Sequence, residues 1–221
     1  MKRIPEPELM DDEAQARAYA EADFEEPNSH FAALFDEFIG RLPEGAAVLD
    51  LGCGPGDITL RIATAHPQIE IHGLDGSGAM LAFGHAALAQ QPELRDRVNF
   101  IEGLVPDALL PRARYDAVIS NSLLHHLHDP ETLWRMIQAR ARPGAPVLVM
   151  DLMRPADEAT AQALVAQYAA NEPEVLRRDF YNSLLAAFEL DEVRQQLELA
   201  GLPRLEVRAV SDRHLLVSGR A

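Results

Sequence analysis

A chain of 221 residues with 48% hydrophobic content can bury one sizeable core and is short for two domains. Its 20 Lys and Arg against 35 Asp and Glu give a net charge of -15, which repels phosphate backbones and anionic membrane surfaces, so neither nucleic acid nor a membrane is an expected partner. Apolar runs such as 146–150 fall far short of a bilayer span, the opening Met1-Lys2-Arg3-Ile4-Pro5-Glu6 carries no hydrophobic signal segment, and the single Cys53 can form no disulfide within the chain; together these predict a cytoplasmic protein.

In chain order, the acids Glu6, Glu8, Asp11, Asp12, Glu13, Glu21, Asp23, Glu25 and Glu26, set among alanines and opposed mainly by Arg17, read as a solvated helix. After Pro27, with a cap at Asn28 or Ser29, Phe31, Leu34, Phe35, Phe38 and Leu42 recur at the spacing of one buried helical face. From Ala46 short apolar runs at 46–51, 69–74, 98–101, 115–120 and 146–151 alternate with helix-length segments, which predicts a parallel sheet with right-handed crossovers. Arg142-Pro143-Gly144-Ala145 is expected to close the helix that begins near Glu131. Residues 155–188 read as a helical insertion broken near Asn171-Glu172-Pro173. A helix at 191–200 and two strands at 204–210 and 214–218, joined by Ser211-Asp212-Arg213, complete the chain as an antiparallel hairpin. The expected fold is α/β: a doubly wound, mostly parallel, seven-stranded Rossmann-like sheet. Its parts within one domain are an N-terminal helical cap (1–44), a cofactor-binding core (45–154), a helical insertion or lid (155–189) and a terminal helix with hairpin (190–221).

The chemistry concentrates in Asp50-Leu51-Gly52-Cys53-Gly54-Pro55-Gly56-Asp57, where a buried strand runs into glycines that let the backbone approach a ligand ahead of a helix N-terminus. Asp75, ending the next strand, can accept the two hydroxyls of a ribose. The third site of a GxGxxG pattern falls on Asp57, which counts against a nicotinamide oxidoreductase.

The string Asp50 to Gly56 resembles the first motif of class I S-adenosylmethionine-dependent methyltransferases. The resemblance continues through Leu74-Asp75-Gly76-Ser77-Gly78-Ala79-Met80-Leu81, through 115–127 and through 142–145. It implies S-adenosyl-L-methionine as cofactor, with the glycine loop passing its methionine portion and Asp75 holding its ribose. The contact set it implies is Asp50, Gly52, Cys53, Gly54, Asp75, Gly76, Met80, Gly103, Leu104 and Asn121. Leu104 stands where the family often has an acid for the adenine amino group, so adenine contact there is expected from backbone.

The resemblance further implies methyl transfer by in-line displacement to an acceptor, and the missing basic surface favours a small molecule as that acceptor. Two neighbouring readings are an enzyme that modifies the cofactor itself, as carboxy-S-adenosylmethionine synthases do, and a non-catalytic cofactor-binding subunit. Candidate proton acceptors are His125, His126, His30 and Tyr181. Against these stand packing roles for the histidines, turn or capping roles for Asp50 and Asp75, and a small packed residue at Cys53. Tyr19, His30, Arg177 and Arg178 are candidates to cover the substrate, the two arginines for an acidic group on it. No metal is expected, because adjacent histidines on a turn point apart and no close acid joins them. The assembly is expected to be a monomer or homodimer.

Overall fold

Successive side chains of a strand face opposite sides of its sheet, and the central strands here are buried on both. Those strands are β1 (Ala47–Leu51), β2 (Glu70–Asp75), β4 (Ala117–Asn121) and β5 (Pro146–Leu152); β3 (Val98–Glu102), at the sheet edge, buries Val98 and Phe100 and exposes Asn99 and Glu102. Leu49, Leu51, Val118, Val147 and Val149 join one apolar layer with Leu133, Trp134 and Ile137; Val48, Ile71, Ile119, Leu148 and Met150 join the other with Phe31, Phe35 and Ile62. The computed structural model describes residues 1–7, 9 and 11–221, so the Glu8 of the acidic stretch lies outside the described residues.

With β6 (Leu205–Ala209) and β7 (His214–Arg220), the sheet has the order β3-β2-β1-β4-β5-β7-β6. β1 to β5 are parallel, and β7 lies antiparallel between β5 and β6. The seven strands and the C-terminal hairpin agree with expectation. The chain reverses direction of travel between β1 and β4, and a ligand crevice forms at such a reversal, outside the carboxyl ends of the strands.

The helices are α1 (Glu13–Glu21), α2 (Glu25–Phe38), α3 (Asp57–Ala65), α4 (Gly78–Ala89), α5 (Glu131–Arg140), α6 (Glu158–Tyr168), α7 (Glu174–Ala186) and α8 (Leu190–Leu199). Three local expectations need correction. The acidic stretch is not one solvated helix: Glu13–Glu21 forms α1, capped by Asp12, Glu25 and Glu26 open α2, and residues 1–7 run as an arm across the molecule. α2 starts at Glu25 rather than after Pro27, since a proline is tolerated in the first turn, where its missing N–H would be unpaired anyway. Gly144, at φ 78, lies four residues past the end of α5, in the turn closed by Ala145 N to Arg142 O that leads into β5, and does not cap α5.

The arm is sewn down at several points. The N-terminal ammonium donates to Ala156 O at 3.0 Å, Ile4 N to Leu185 O at 3.0 Å, and the Arg3 guanidinium to Ala186 O, His125 O and Leu127 O while covering the Phe188 ring at 4.0 Å. It thereby joins the insertion to the loop after β4.

The β5–β7–β6 edge has a sharp steric requirement at Gly219, whose φ is 150. A Cβ there would lie 2.2 Å from the Arg204 carbonyl oxygen, a backbone atom that cannot swing aside. Gly219→Ala is expected to lose about 2–4 kcal/mol and roughly 5–15 °C in Tm; thermal unfolding by circular dichroism checks it, and an unchanged Tm contradicts the packing described.

Candidate functional site

β1 runs into the turn at Gly52, Gly54 and Gly56, whose φ values of 71, 54 and 81 few other residues adopt without strain. Their surroundings differ. A Cβ on Gly52 would meet Leu123 Cβ at 2.8 Å and one on Gly56 the Phe100 ring at 2.3 Å, whereas the space over Gly54 is open to 4 Å. The first two glycines let the loop after β4 and the ring from β3 pack tightly, and Gly54 leaves a cradle.

Asp75 faces that cradle. Its Oδ2 accepts from Gly54 N at 2.8 Å and its Oδ1 from Ser77 N at 2.8 Å. Burial raises its pKa, opposed by backbone N–H donors from Ser77, Gly54 and Gly76. Leu104 and Leu9 converge over Gly76, where a Cβ would lie 2.7 and 2.8 Å from their methyl groups. Gly103 N donates to Asp75 O at 2.9 Å, and Met80 is buried behind the Ser77 cap. Asn121, ending β4, has a buried Oδ1 with no hydrogen-bond partner. Cys53 is buried and burial pushes its thiol up, so it is an inert packed residue.

Asp50 points elsewhere, into the interface of β1 with α3, where Thr59 Oγ1 donates to its Oδ2 at 2.5 Å. Burial pushes its pKa up to about 7, with Thr59 lowering it and Asp75 raising it. A proton is then held more tightly in the folded chain than in the unfolded one. The stability tied to neutral Asp50 is complete below its ordinary 3.8 and is lost as pH rises to about 7. Asp50→Asn keeps an acceptor for Thr59 and removes the titration. Its urea midpoint relative to wild type is therefore expected to rise between pH 5 and pH 8; parallel pH profiles contradict the assignment.

Beyond β4, Ser122 has φ 58 and leads into a short 3-10 turn, Leu124–His126. His125 Nδ1 meets Asp151 Oδ1, at the end of β5, at 2.6 Å, and Leu124 N donates to Asp151 Oδ2 at 2.7 Å. Burial opposes charge on His125, but Asp151 and Glu6 outweigh it and raise its pKa. Burial and the adjacent His125 lower His126 to about 3, so its ring is neutral.

Glu6, on the arm, is turned inward: its Oε1 lies 3.6 Å from His125 Nε2, 3.3 Å from His126 Nδ1 and 2.9 Å from the donating Ser183 hydroxyl. The two imidazoles lie 4.2 Å apart at 36°. The expectation that adjacent histidines diverge without an acidic partner is thus corrected: the tight turn tilts the rings together, and the acid arrives from the chain terminus.

Glu6, Gln15, His126, Arg178, Asp179 and Asn182 border a cavity of ≈ 270 Å³ between the arm, this turn and α7. Arg178 belongs to it; Arg177 does not line it and is exposed. Tyr181 packs on the insertion's own cluster with Leu164, Leu184 and Leu185. Tyr19 is half-buried against Phe24, and burial, then Asp75, push its hydroxyl up to about 12. His30 is exposed and lies close enough to His214 to lower that residue's pKa. Sequence reasoning missed Glu6, Asp151 and Asp179. Asp151 carried a signal, an acid ending a buried strand as Asp75 does; Glu6 carried none among its acidic neighbours.

Residues 49–147 match the model of a family described as a methyltransferase domain. An uncharacterized methyltransferase of Mycobacterium tuberculosis is 30% identical over 129 residues, 58% of this chain and 60% of that protein. A trans-aconitate 2-methyltransferase of Deinococcus radiodurans is 36% identical over 127 residues, 58% and 45% of the two chains. A 27-O-demethylrifamycin SV methyltransferase of Amycolatopsis mediterranei is 30% identical over 175 residues, 76% and 59%. The matches thus span 45% to 60% of these relatives' own length. The fold is that of a SAM-dependent methyltransferase of Aquifex aeolicus, with TM-score 0.67, 17% identity, and 95% and 98% of the two chains covered.

Proposed function

We propose that the chain, whose residues 49–147 match a methyltransferase-domain model, is a class I S-adenosylmethionine-dependent methyltransferase that moves the methyl group of its cofactor to a small-molecule acceptor bound between the arm and α7. The observation that carries this reading is the cradle at the β1/β4 reversal. Open space lies over Gly54 beside the Asp75 carboxylate, and β4, paired with β1, ends at Asn121 with its Oδ1 unpartnered.

The residues fit the group. Asp75 would accept the ribose hydroxyls, Asn121 would take a polar donor of the methionine portion, and Leu104 with Leu9 would cover the base. That last contact takes the place of an acid at Leu104. The bound cofactor supplies a methyl on a sulfonium, a cationic donor that needs alignment more than activation. Asp50, buried and paired with Thr59, would act behind the loop by holding its entry, not by touching the ligand.

On the acceptor side, His126 is neutral and borders the cavity, so it can accept a hydrogen bond from an acceptor hydroxyl or amine. His125, locked by Asp151, sets the position of that ring. A small molecule suits a cavity of ≈ 270 Å³, and two relatives carry names of small-molecule methyltransferases.

Titration calorimetry with S-adenosylmethionine, S-adenosylhomocysteine and NAD tests the cofactor. Both adenosyl compounds are expected to bind, Asp75→Ala to weaken both by about tenfold or more, and NAD not to bind. Binding of NAD alone contradicts the reading. With binding established, S-adenosylhomocysteine release over an acceptor panel separates an enzyme from a silent binding subunit.

Arg178 gives the acceptor a further test. Arg178→Ala is expected to raise KM for carboxylated acceptors about tenfold and leave neutral ones unchanged, with Arg177→Ala neutral for both. Equal effects of the two variants would remove the acidic-group preference.

A further inference from the structure

The arm, the post-β4 turn and β5 meet in a constellation whose acid, Glu6, the proposed transfer leaves without a role. Glu6 Oε1 lies 3.6 Å from His125 Nε2 and 3.3 Å from His126 Nδ1, and the three donor atoms all lie within 4.8 Å of one another. Four ligands arranged tetrahedrally at about 2.0–2.1 Å from a zinc ion stand about 3.3–3.4 Å apart, so the Glu6–His126 separation already matches a metal's coordination edge and the Glu6–His125 separation exceeds it by a few tenths of an ångström.

Three further features point the same way. Asp151 holds His125 Nδ1 at 2.6 Å, which leaves Nε2 turned to Glu6; a carboxylate behind a metal-binding imidazole fixes its ring in this manner. His126 Nδ1 is buried and has no hydrogen-bond partner, although it faces an acid at 3.3 Å. The carboxylates of Asp151 and Asp179 lie close enough to Glu6 to act on it, so three acids converge on the cluster.

We propose that Glu6, His125 and His126 bind one divalent first-row transition-metal ion, with its remaining coordination position open to the cavity beside α7. Two imidazoles and one carboxylate suit Zn²⁺, Co²⁺, Ni²⁺ or Mn²⁺ better than Mg²⁺ or Ca²⁺, which prefer oxygen alone. Three protein ligands leave a site of the open type, able to take water or an oxygen or nitrogen atom of a small molecule. Binding of the ion stands on these residues alone; only its use in seating the acceptor rests on the methyltransferase reading.

The test uses the full chain after chelator treatment, with Zn²⁺ followed by calorimetry and Co²⁺ by its visible spectrum. One ion per chain is expected, with the intense bands of a low-coordinate cobalt site. Glu6→Ala and His126→Ala are each expected to lower affinity at least about tenfold, and Asp151→Asn by about 10–100-fold through His125. Should Asp151→Asn fail to fold, Glu6→Gln and His126→Ala decide, with far-UV circular dichroism as control. Wild-type binding no tighter than that of the Glu6→Ala, His126→Ala double variant, for both ions, overturns the proposal. S-adenosylhomocysteine titrated in parallel keeps the two readings apart: its binding in the absence of metal sustains the cofactor site whatever the ions do.

Discussion

The Asp151 carboxylate is the fixed point of the acceptor side. It is 1% exposed at the end of β5 and cannot remain there without donors. Its Oδ2 receives Leu124 N, and its Oδ1 receives Leu152 N and meets His125 Nδ1. The Leu124 and His125 contacts tie β5 to the turn after β4, so the place of both histidines follows from one buried side chain. Replacing it with an apolar residue would leave a buried backbone donor and an imidazole nitrogen unmatched, which costs more than the lost attraction alone.

The same logic draws the arm in. The carbonyl groups of His125 and Leu127, at the end of a short turn, lack helix partners, and Arg3 supplies donors to both. Once Arg3 is docked on Phe188 and on Ala186 O, the chain direction brings Glu6 to the histidines and Leu9 over Gly76. Asp11, accepting from Ser77 Oγ at 3.2 Å, continues the contact onto the start of α4. One terminal segment thus borders both Gly76 and the cavity.

The fold was legible because its signals are local. Apolar runs such as Val147–Met150, buried on both faces, and the glycines after Leu51 declare a parallel sheet and its ligand edge within a few residues, and Pro173 separated α6 from α7 as read. The cradle was legible for the same reason: Asp75 and Gly54 are each marked by neighbours in sequence. Asp50 lay in the same motif, yet its side chain chose Thr59, a pairing that depends on α3 packing and not on the motif itself. The acceptor side was mostly illegible. Nothing adjacent to Glu6 distinguishes it from eight other acids; its burial against Ser183 and two histidines is set by contacts from distant parts of the chain. Arg177 and Arg178 looked equivalent as a pair, and the helix turned one to the cavity and left the other outside it.

This division has a consequence for how such a chain acquires its substrate. The family match spans residues 49–147, which contain the glycine loop, Asp75, Asn121 and the two histidines. Glu6, Asp151, Arg178 and Asp179 all fall outside it. The part that holds a cofactor is continuous and constrained by close backbone approaches, as at Gly52 and Gly56, where any side chain would collide. The part proposed to face an acceptor is assembled from a terminal arm and the helix pair after β5, elements outside the sheet whose length and charge such folds vary. Two relatives whose names carry acceptors as unlike as trans-aconitate and a rifamycin are in keeping with a common core and variable surroundings.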